Sequence, residues 1–155
     1  ELGEGYSTRL QELLVRTGFD ASRLTLELTE ESLVRDIELA SAELEQLRAK
    51  NIQIAVDDFG TGYSSLAYLK TLPLDYLKID KSMTPDISGT GKDRIVLRAI
   101  IAMAKALELK IIAEGVERDE ELAMLKAEGC DYFQGYLRSP PLSPQDFEKF
   151  ALRSN

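Results

Sequence analysis

Five times in succession, a short strand pattern in this chain ends at or beside a polar residue and gives way to a helical pattern. The runs are Leu24–Leu28, Ile52–Val56, Tyr76–Ile79, Lys110–Ala113 and Asp131–Gln134. Regular alternation of this kind predicts a parallel sheet with crossover helices. The strands end near residues 27, 57, 78, 114 and 134, in steps of 30, 21, 36 and 20 residues, the spacing of βα units. The preferred fold class is therefore α/β, a (β/α)8 TIM-type barrel. Such a barrel needs about 250 residues, so the 155 present are expected to supply the last five units. An open doubly wound sheet is the alternative. It usually carries a Gly-rich phosphate turn after its first strand, and none follows Leu28.

The intervening segments read as helices. Residues 1–18 are expected to lead helically into the first strand, with Leu10, Leu13 and Leu14 at helical spacing and Gly18 as the stop. Leu33, Ile37, Ala40, Leu44 and Leu47 form one apolar stripe, predicting a single amphipathic helix. Ser64–Leu69 reads as a short helix, Asp93–Glu108 as a strongly apolar one, and Asp119–Ala127 as a helix capped by Gly129. Ser143 and Pro144 open the last helix as N-cap and first-turn proline. Residues 82–92, rich in Ser, Thr, Pro and Gly, read as a flexible loop.

Composition narrows the chemistry. Hydrophobic residues make up 44% and charged residues 30%, which predicts a globular chain rather than a disordered one. No apolar run has the length of a membrane span or the layout of a signal peptide, so no membrane contact is expected in this segment. The net charge of −8 argues against a nucleic-acid polymer as partner, although bound cations can reverse a local field. There is no histidine, which excludes imidazole acid–base chemistry, Ser-His-Asp triads and His-based zinc sites within the chain. The lone Cys130 excludes an internal disulfide and fits a reducing, cytoplasmic setting. Any catalysis must use carboxylates, lysine, hydroxyls, amides or a hard metal held by oxygen.

The polar strand ends are the candidates: Glu27, Asp57 with Asp58, Lys78, Glu114 and Gln134. In a parallel barrel the carboxyl ends of the strands face one mouth. Four clustered acids repel one another unless cations neutralise them. Oxygen ligands without His or Cys select Mg2+, Mn2+ or Ca2+ over zinc. Adjacent aspartates allow one to bridge two ions while the other holds the second. Taken singly, each acid reads more simply as a solvated group or a helix cap; five consecutive strand ends do not. Gly60 and Gly62 permit a tight turn that sets Tyr63, Ser64 and Ser65 beside the aspartates. Two look-alikes fall away. Asp58-Phe59-Gly60 resembles the kinase metal-binding triplet without a kinase catalytic loop. Gly89-Thr90-Gly91-Lys92 lacks the first glycine of a phosphate loop, and Asp93 stands where Ser or Thr belongs.

Five motifs, in order along nearly the whole chain, resemble the EAL-type cyclic-di-GMP phosphodiesterases. They are Glu27-Leu28-Thr29-Glu30, Asp57-Asp58-Phe59-Gly60-Thr61-Gly62-Tyr63-Ser64-Ser65-Leu66, Leu77-Lys78-Ile79-Asp80, Ala113-Glu114-Gly115-Val116-Glu117 and Phe133-Gln134-Gly135-Tyr136. The resemblance implies metal-dependent hydrolysis of a cyclic dinucleotide substrate to its linear form, with two divalent cations, Mg2+ or Mn2+, as cofactors. By the same resemblance Glu27 is a ligand of the first ion, Asp57 the bridging ligand, and Asp58 and Glu114 ligands of the second. Lys78 resembles the lysine that holds the attacking water, Glu117 and Gln134 resemble residues that act through water, and Glu30 the anchor of the glycine loop. Gly60, Thr61, Gly62, Tyr63 and Ser64 form that loop beside the substrate. The resemblance also implies a homodimer, and a fused sensory or diguanylate cyclase-like domain.

Three departures matter. The Glu-Ala-Leu strand for which the family is named, and an asparagine of its third strand, would lie upstream of Glu1, and Glu1-Leu2 is not that motif. Arg138 stands where the family usually has an aromatic residue. A non-hydrolysing cyclic-di-GMP sensor and a purely dimerising module are the competing readings. Five units cannot close a barrel, so these residues alone are expected to associate through open sheet edges and to be inactive.

Overall fold

The computed structural model describes residues 3–34, 36–60, 67–83 and 91–153. The elements alternate as the sequence predicts. Helix α1 (Tyr6–Thr17) and a 3-10 turn (Ala21–Arg23) precede β1 (Thr25–Thr29). Next come α2 (Glu30–Val34), α3 (Ile37–Arg48), β2 (Gln53–Phe59), α4 (Ala67–Thr71) and β3 (Tyr76–Ile79). A second 3-10 turn (Lys81–Met83) leads toward α5 (Gly91–Ala106), β4 (Lys110–Ala113), α6 (Asp119–Glu128), β5 (Tyr132–Phe133) and α7 (Pro144–Arg153).

The five strands are all parallel and lie in the order β1-β2-β3-β4-β5. Each strand therefore pairs with its immediate successor. A doubly wound sheet reverses its order at a switch point, and this one does not. The order is that of consecutive barrel strands, with β1 and β5 at the edges.

The two faces of the sheet differ in chemistry. Registered partners in a parallel pair point to the same face, because side chains alternate along a strand. Glu27 pairs with Ala55, Ala55 with Tyr76, Tyr76 with Lys110, and Lys78 with Ile112. Thr29 pairs with Asp57 and Ile112 with Tyr132. That face is rich in polar groups. The opposite face carries Ile54, Val56, Leu77, Ile79, Ile111 and Ala113, all buried. Leu44 and Leu47 of α3, Leu97, Ile101 and Ala104 of α5, and Leu122 and Leu125 of α6 join them in one hydrophobic core. Burial of that face is the main stabilising contribution.

Several boundaries differ from expectation, each for a local reason. The single helix expected from Leu33 to Leu47 is two helices. Asp36 has an extended backbone and its side chain accepts a hydrogen bond from Leu39 N–H at 3.0 Å, so it caps α3 rather than continuing α2. The lead-in over residues 1–18 is helical only from Tyr6 to Thr17, where Gly18 in the left-handed region (φ 67°) stops it. Of the loop expected over 82–92, Gly91 and Lys92 already belong to α5, and residues 84–90 lie outside the described residues. The short helix expected from Ser64 is described from Ala67. At the last helix, Ser143 Oγ accepts from Asp146 N–H at 3.2 Å, as its N-cap role requires. Among the described residues no helix is long and apolar enough to cross a membrane.

Candidate metal centre at the carboxyl ends of the strands

Asp57 and Asp58 are neighbours in β2, and neighbours in a regular strand point to opposite faces. The strand is not regular there. Its pairing with β3 slips between Val56 and Phe59, and Asp58 has φ 55°, in the left-handed region that Asp tolerates better than most side chains. The irregularity brings both carboxylates to the same end. Carboxylate oxygens of Asp57, Asp58 and Glu114, the last just beyond β4, all lie within 4.8 Å of one another. Gly60 then turns the chain at φ 96°, where a Cβ would sit 3.1 Å from the Met83 side chain.

Lys78, in β3 beside β2, reaches into this group. Its ammonium lies 2.6 Å from Glu27 Oε2, 2.9 Å from Asp57 Oδ1 and 2.8 Å from Glu114 Oε1. The residue is 3% exposed. Burial alone would push its pKa down, but the carboxylates of Asp57, Glu114 and Glu27 outweigh it and hold the ammonium well above the ordinary lysine value. The carboxylates of Glu27, Asp57 and Glu114 surround this one ammonium, and Asp58 adds a fourth carboxylate beside Asp57 and Glu114. The donor set is all oxygen, which fits a hard divalent cation.

The remaining candidates surround this group. Glu117 and Gln134 line a groove of about 940 Å³ together with Glu114, Asp80, Lys81 and Arg138. Two close approaches shape it. Gln134 C=O accepts from Val116 N–H at 3.1 Å, and a Cβ on Gly135 would fall 2.1 Å from Val116 O. Only glycine allows this contact between the segments that carry Glu117 and Gln134. Glu30 is 7% exposed at the start of α2, directly after β1. Thr61, Gly62, Tyr63 and Ser64 lie outside the described residues.

Sequence reasoning missed Lys81. Its ammonium pairs with Glu117, and its stem occupies the space above Gly115 (φ 63°), 2.6 Å from where a Cβ would stand. Its only sequence signal is a position three residues beyond Lys78, which puts it in the turn that follows the same strand.

The EAL domain family model matches residues 2–141. The chain is 47% identical over 137 residues to the cyclic di-GMP phosphodiesterase NbdA of Pseudomonas aeruginosa, covering 88% of this chain and 18% of NbdA. It is 41% identical over 138 residues to the bifunctional diguanylate cyclase/cyclic di-GMP phosphodiesterase MucR of the same organism, covering 89% of this chain and 20% of MucR. Among solved structures it resembles the PaMucR phosphodiesterase–c-di-GMP complex, with a TM-score of 0.86 at 39% identity, covering 93% of this chain and 58% of that one. It also resembles the manganese/cy-diGMP complex of Klebsiella pneumoniae BlrP1, with a TM-score of 0.80 at 29% identity, covering 90% and 36%. The chain thus spans about a fifth of the length of these curated relatives. With the family model matching residues 2–141 and the fold shared with these solved structures, the chain belongs to the EAL domain family.

Proposed function

We propose that the complete domain containing these residues hydrolyses cyclic-di-GMP to the linear dinucleotide with two divalent cations, Mg2+ or Mn2+. The observation that carries the reading is the group of oxygens from Asp57, Asp58 and Glu114 within 4.8 Å of one another. The names of NbdA and MucR support the substrate, and the BlrP1 complex supports a divalent cation. Glu27 would hold the first ion, Asp57 would be shared, and Asp58 and Glu114 would hold the second. When bound, such ions supply an acidified water and clamp a phosphodiester. The balance of the reaction is simple: water adds across one P–O bond, and the departing ribose 3′ oxygen takes the proton.

The chain's own residues orient and neutralise. Lys78 is charged, buried and flanked by carboxylates, so its N–H groups can hold an incoming oxygen and offset charge building on phosphorus. Glu117 and Gln134 line the adjoining groove, where they can orient water. Glu30, buried at the start of α2, is the proposed anchor of the glycine loop. Residues upstream of Glu1 are proposed to close the barrel and complete the ligand set.

The same reading includes a homodimer and a fused sensory or cyclase-like domain. The bifunctional name of MucR supports the fusion, and Ile95 and Val96 on α5, 66% and 46% exposed, offer apolar surface to a second copy. The half-buried Cys130, whose thiol burial pushes up to about 11, fits a reducing, cytoplasmic setting.

The test is Mn2+-dependent turnover of cyclic-di-GMP by these 155 residues and by a polypeptide extended upstream to the whole domain. Turnover is expected only from the longer form, and equal turnover by both overturns the need for upstream strands. In the longer form Asp57→Asn is expected to abolish turnover. Binding without cleavage by the unsubstituted longer form would establish the sensor reading instead.

A further inference from the structure

Just past the ends of β3 and β4, a second lysine–glutamate pair stands beside the first. Lys78 pairs with Glu114 at 2.8 Å. Three residues further along each segment, Lys81 pairs with Glu117 at 2.5 Å. The register of the two strands explains the repeat. Lys78 is level with Ile112 and Ile79 with Ala113, and Ile79 C=O accepts from Glu114 N–H at 3.0 Å beyond the last registered pair. The same offset puts Lys81 level with Gly115. There the chain turns at φ 63°, and the Lys81 stem fills the place of a side chain. Its Cβ, Cγ and Cδ stand 2.6, 2.7 and 2.6 Å from where a Gly115 Cβ would be.

Lys78 is buried, but the second pair is open, with the Lys81 and Glu117 side chains 57% and 50% exposed. An exposed ion pair ordinarily contributes little, partly because two long side chains must be ordered to make it. Here other contacts do much of that ordering. The Lys81 stem lies in the notch over Gly115. The backbone that carries Glu117 is pinned by Val116 N–H donating to Gln134 C=O at 3.1 Å and by Glu117 N–H donating to Glu121 Oε2 at 2.9 Å. The freedom left to Glu117 lies in its side-chain rotamer, and the Lys81 ammonium is the partner that selects one. Both residues line the groove shared with Glu114 and Gln134.

We propose that Lys81 is a positioning residue: it holds the Glu117 carboxylate at the wall of the groove, in the rotamer from which that carboxylate orients water. Lys78 neutralises the carboxylates at the metal centre, whereas Lys81 acts on the reaction through Glu117. The strand that supplies the buried lysine thus also sets the water-orienting acid. The inference rests on the phosphodiesterase reading for its activity measurements, while the Glu117 rotamer is read without turnover.

The test uses Lys81→Met, Lys81→Arg, Glu117→Gln and the double substitution of Lys81→Met with Glu117→Gln, all in the upstream-extended polypeptide. Because the pair is half exposed, Lys81→Met is expected to leave the thermal midpoint within about 2 °C of the parent. A larger fall would make the pair a structural bond and overturns the inference. With Mn2+ and cyclic-di-GMP, Lys81→Met is expected to lower kcat at least about tenfold through misplacement of Glu117, with little change in KM. Lys81→Arg keeps the charge at similar reach and is expected to recover most of the loss. Unchanged kcat in Lys81→Met overturns the inference. So does a raised KM at full kcat, which would make Lys81 a substrate-binding group instead. The double substitution is expected to be no worse than Glu117→Gln alone, whereas multiplied effects overturn action through Glu117. If the unsubstituted polypeptide shows no turnover, the phosphodiesterase reading fails, and the rotamer still decides the inference. Three-bond couplings between the α and β protons of Glu117 are expected to report one rotamer in the parent and in Lys81→Arg, and averaging in Lys81→Met. Couplings already averaged in the parent, or unchanged in Lys81→Met, overturn it.

Discussion

At the scale of single residues, Lys78 carries the sharpest consequences. It is a buried cation whose three partners remain partly open to solvent, with side chains 47%, 25% and 18% exposed for Glu27, Asp57 and Glu114. Removing the ammonium leaves carboxylates facing one another. Lys78→Met is expected to lower stability by about 2 kcal/mol without divalent cation, less than a fully buried pair because of that exposure. Addition of Mn2+ should recover more of the thermal midpoint in the variant than in the parent. Turnover by the complete domain should fall at least about a hundredfold, as for loss of one transition-state donor. The pH dependence has a definite sign. The folded-state pKa of Lys78 is raised above the ordinary 10.5, so its stabilisation is fully present below that value and is lost as pH rises beyond it. Thermal midpoints followed from pH 9 upward should decline more steeply for the parent than for Lys78→Met, and parallel declines would contradict the assignment. The site acids and Lys78 were legible in the sequence because each falls where a strand pattern ends. Lys81 was not, since nothing in composition or periodicity aims a turn lysine at Glu117.

At the scale of elements, α1 shows how a helix can be held by a distant side chain. Its N-terminus begins at Gly5, which offers no side-chain cap. The Glu43 carboxylate of α3 accepts instead from Gly5 N–H and Ser7 N–H, each at 2.7 Å, while Ser7 Oγ bonds Gln46 at 2.7 Å. The Ser7 N–H, ahead of the opposing effect of burial, holds the Glu43 carboxyl below the usual range. That stabilisation is present above the ordinary carboxylate value of 4.5 and fades as pH falls through the lower folded value. Glu43→Gln is expected to cost about 1–2 kcal/mol and to speed amide exchange in α1 more than in α5; uniform exchange would refute a local clamp. The reading of element order from sequence succeeded because each strand is a short, largely apolar run with a polar residue at or near its end. It failed at Asp36 because Leu33 and Ile37 keep helical spacing across the break, so the stripe looks continuous while the aspartate cap interrupts it. The Glu43 clamp links positions too far apart in sequence for any local pattern to reveal. The β2 slip that turns Asp58 toward Asp57 was equally hidden, although the tolerance of Asp for a left-handed backbone is what permits it.

At the scale of the whole molecule, the strand order carries its own prediction. Every strand pairs with the next in sequence, and the hydrophobic core lies between the sheet and its own crossover helices. The core of the five units is thus built from their own strands and helices. Among the described residues β1 and β5 each have one side without a neighbouring strand, and Phe147 on α7 is 59% exposed. Alone, the 155 residues should associate through those edges, visible as concentration-dependent species in sedimentation. Mixed with a separately produced upstream segment, they should instead form a discrete complex that turns over cyclic-di-GMP, and failure to do so would mean that closure depends on covalent continuity. An unbroken sequential order thus predicts a divisible domain: cut between units and reassembled from two chains, it should recover the proposed hydrolysis only when its halves are brought together.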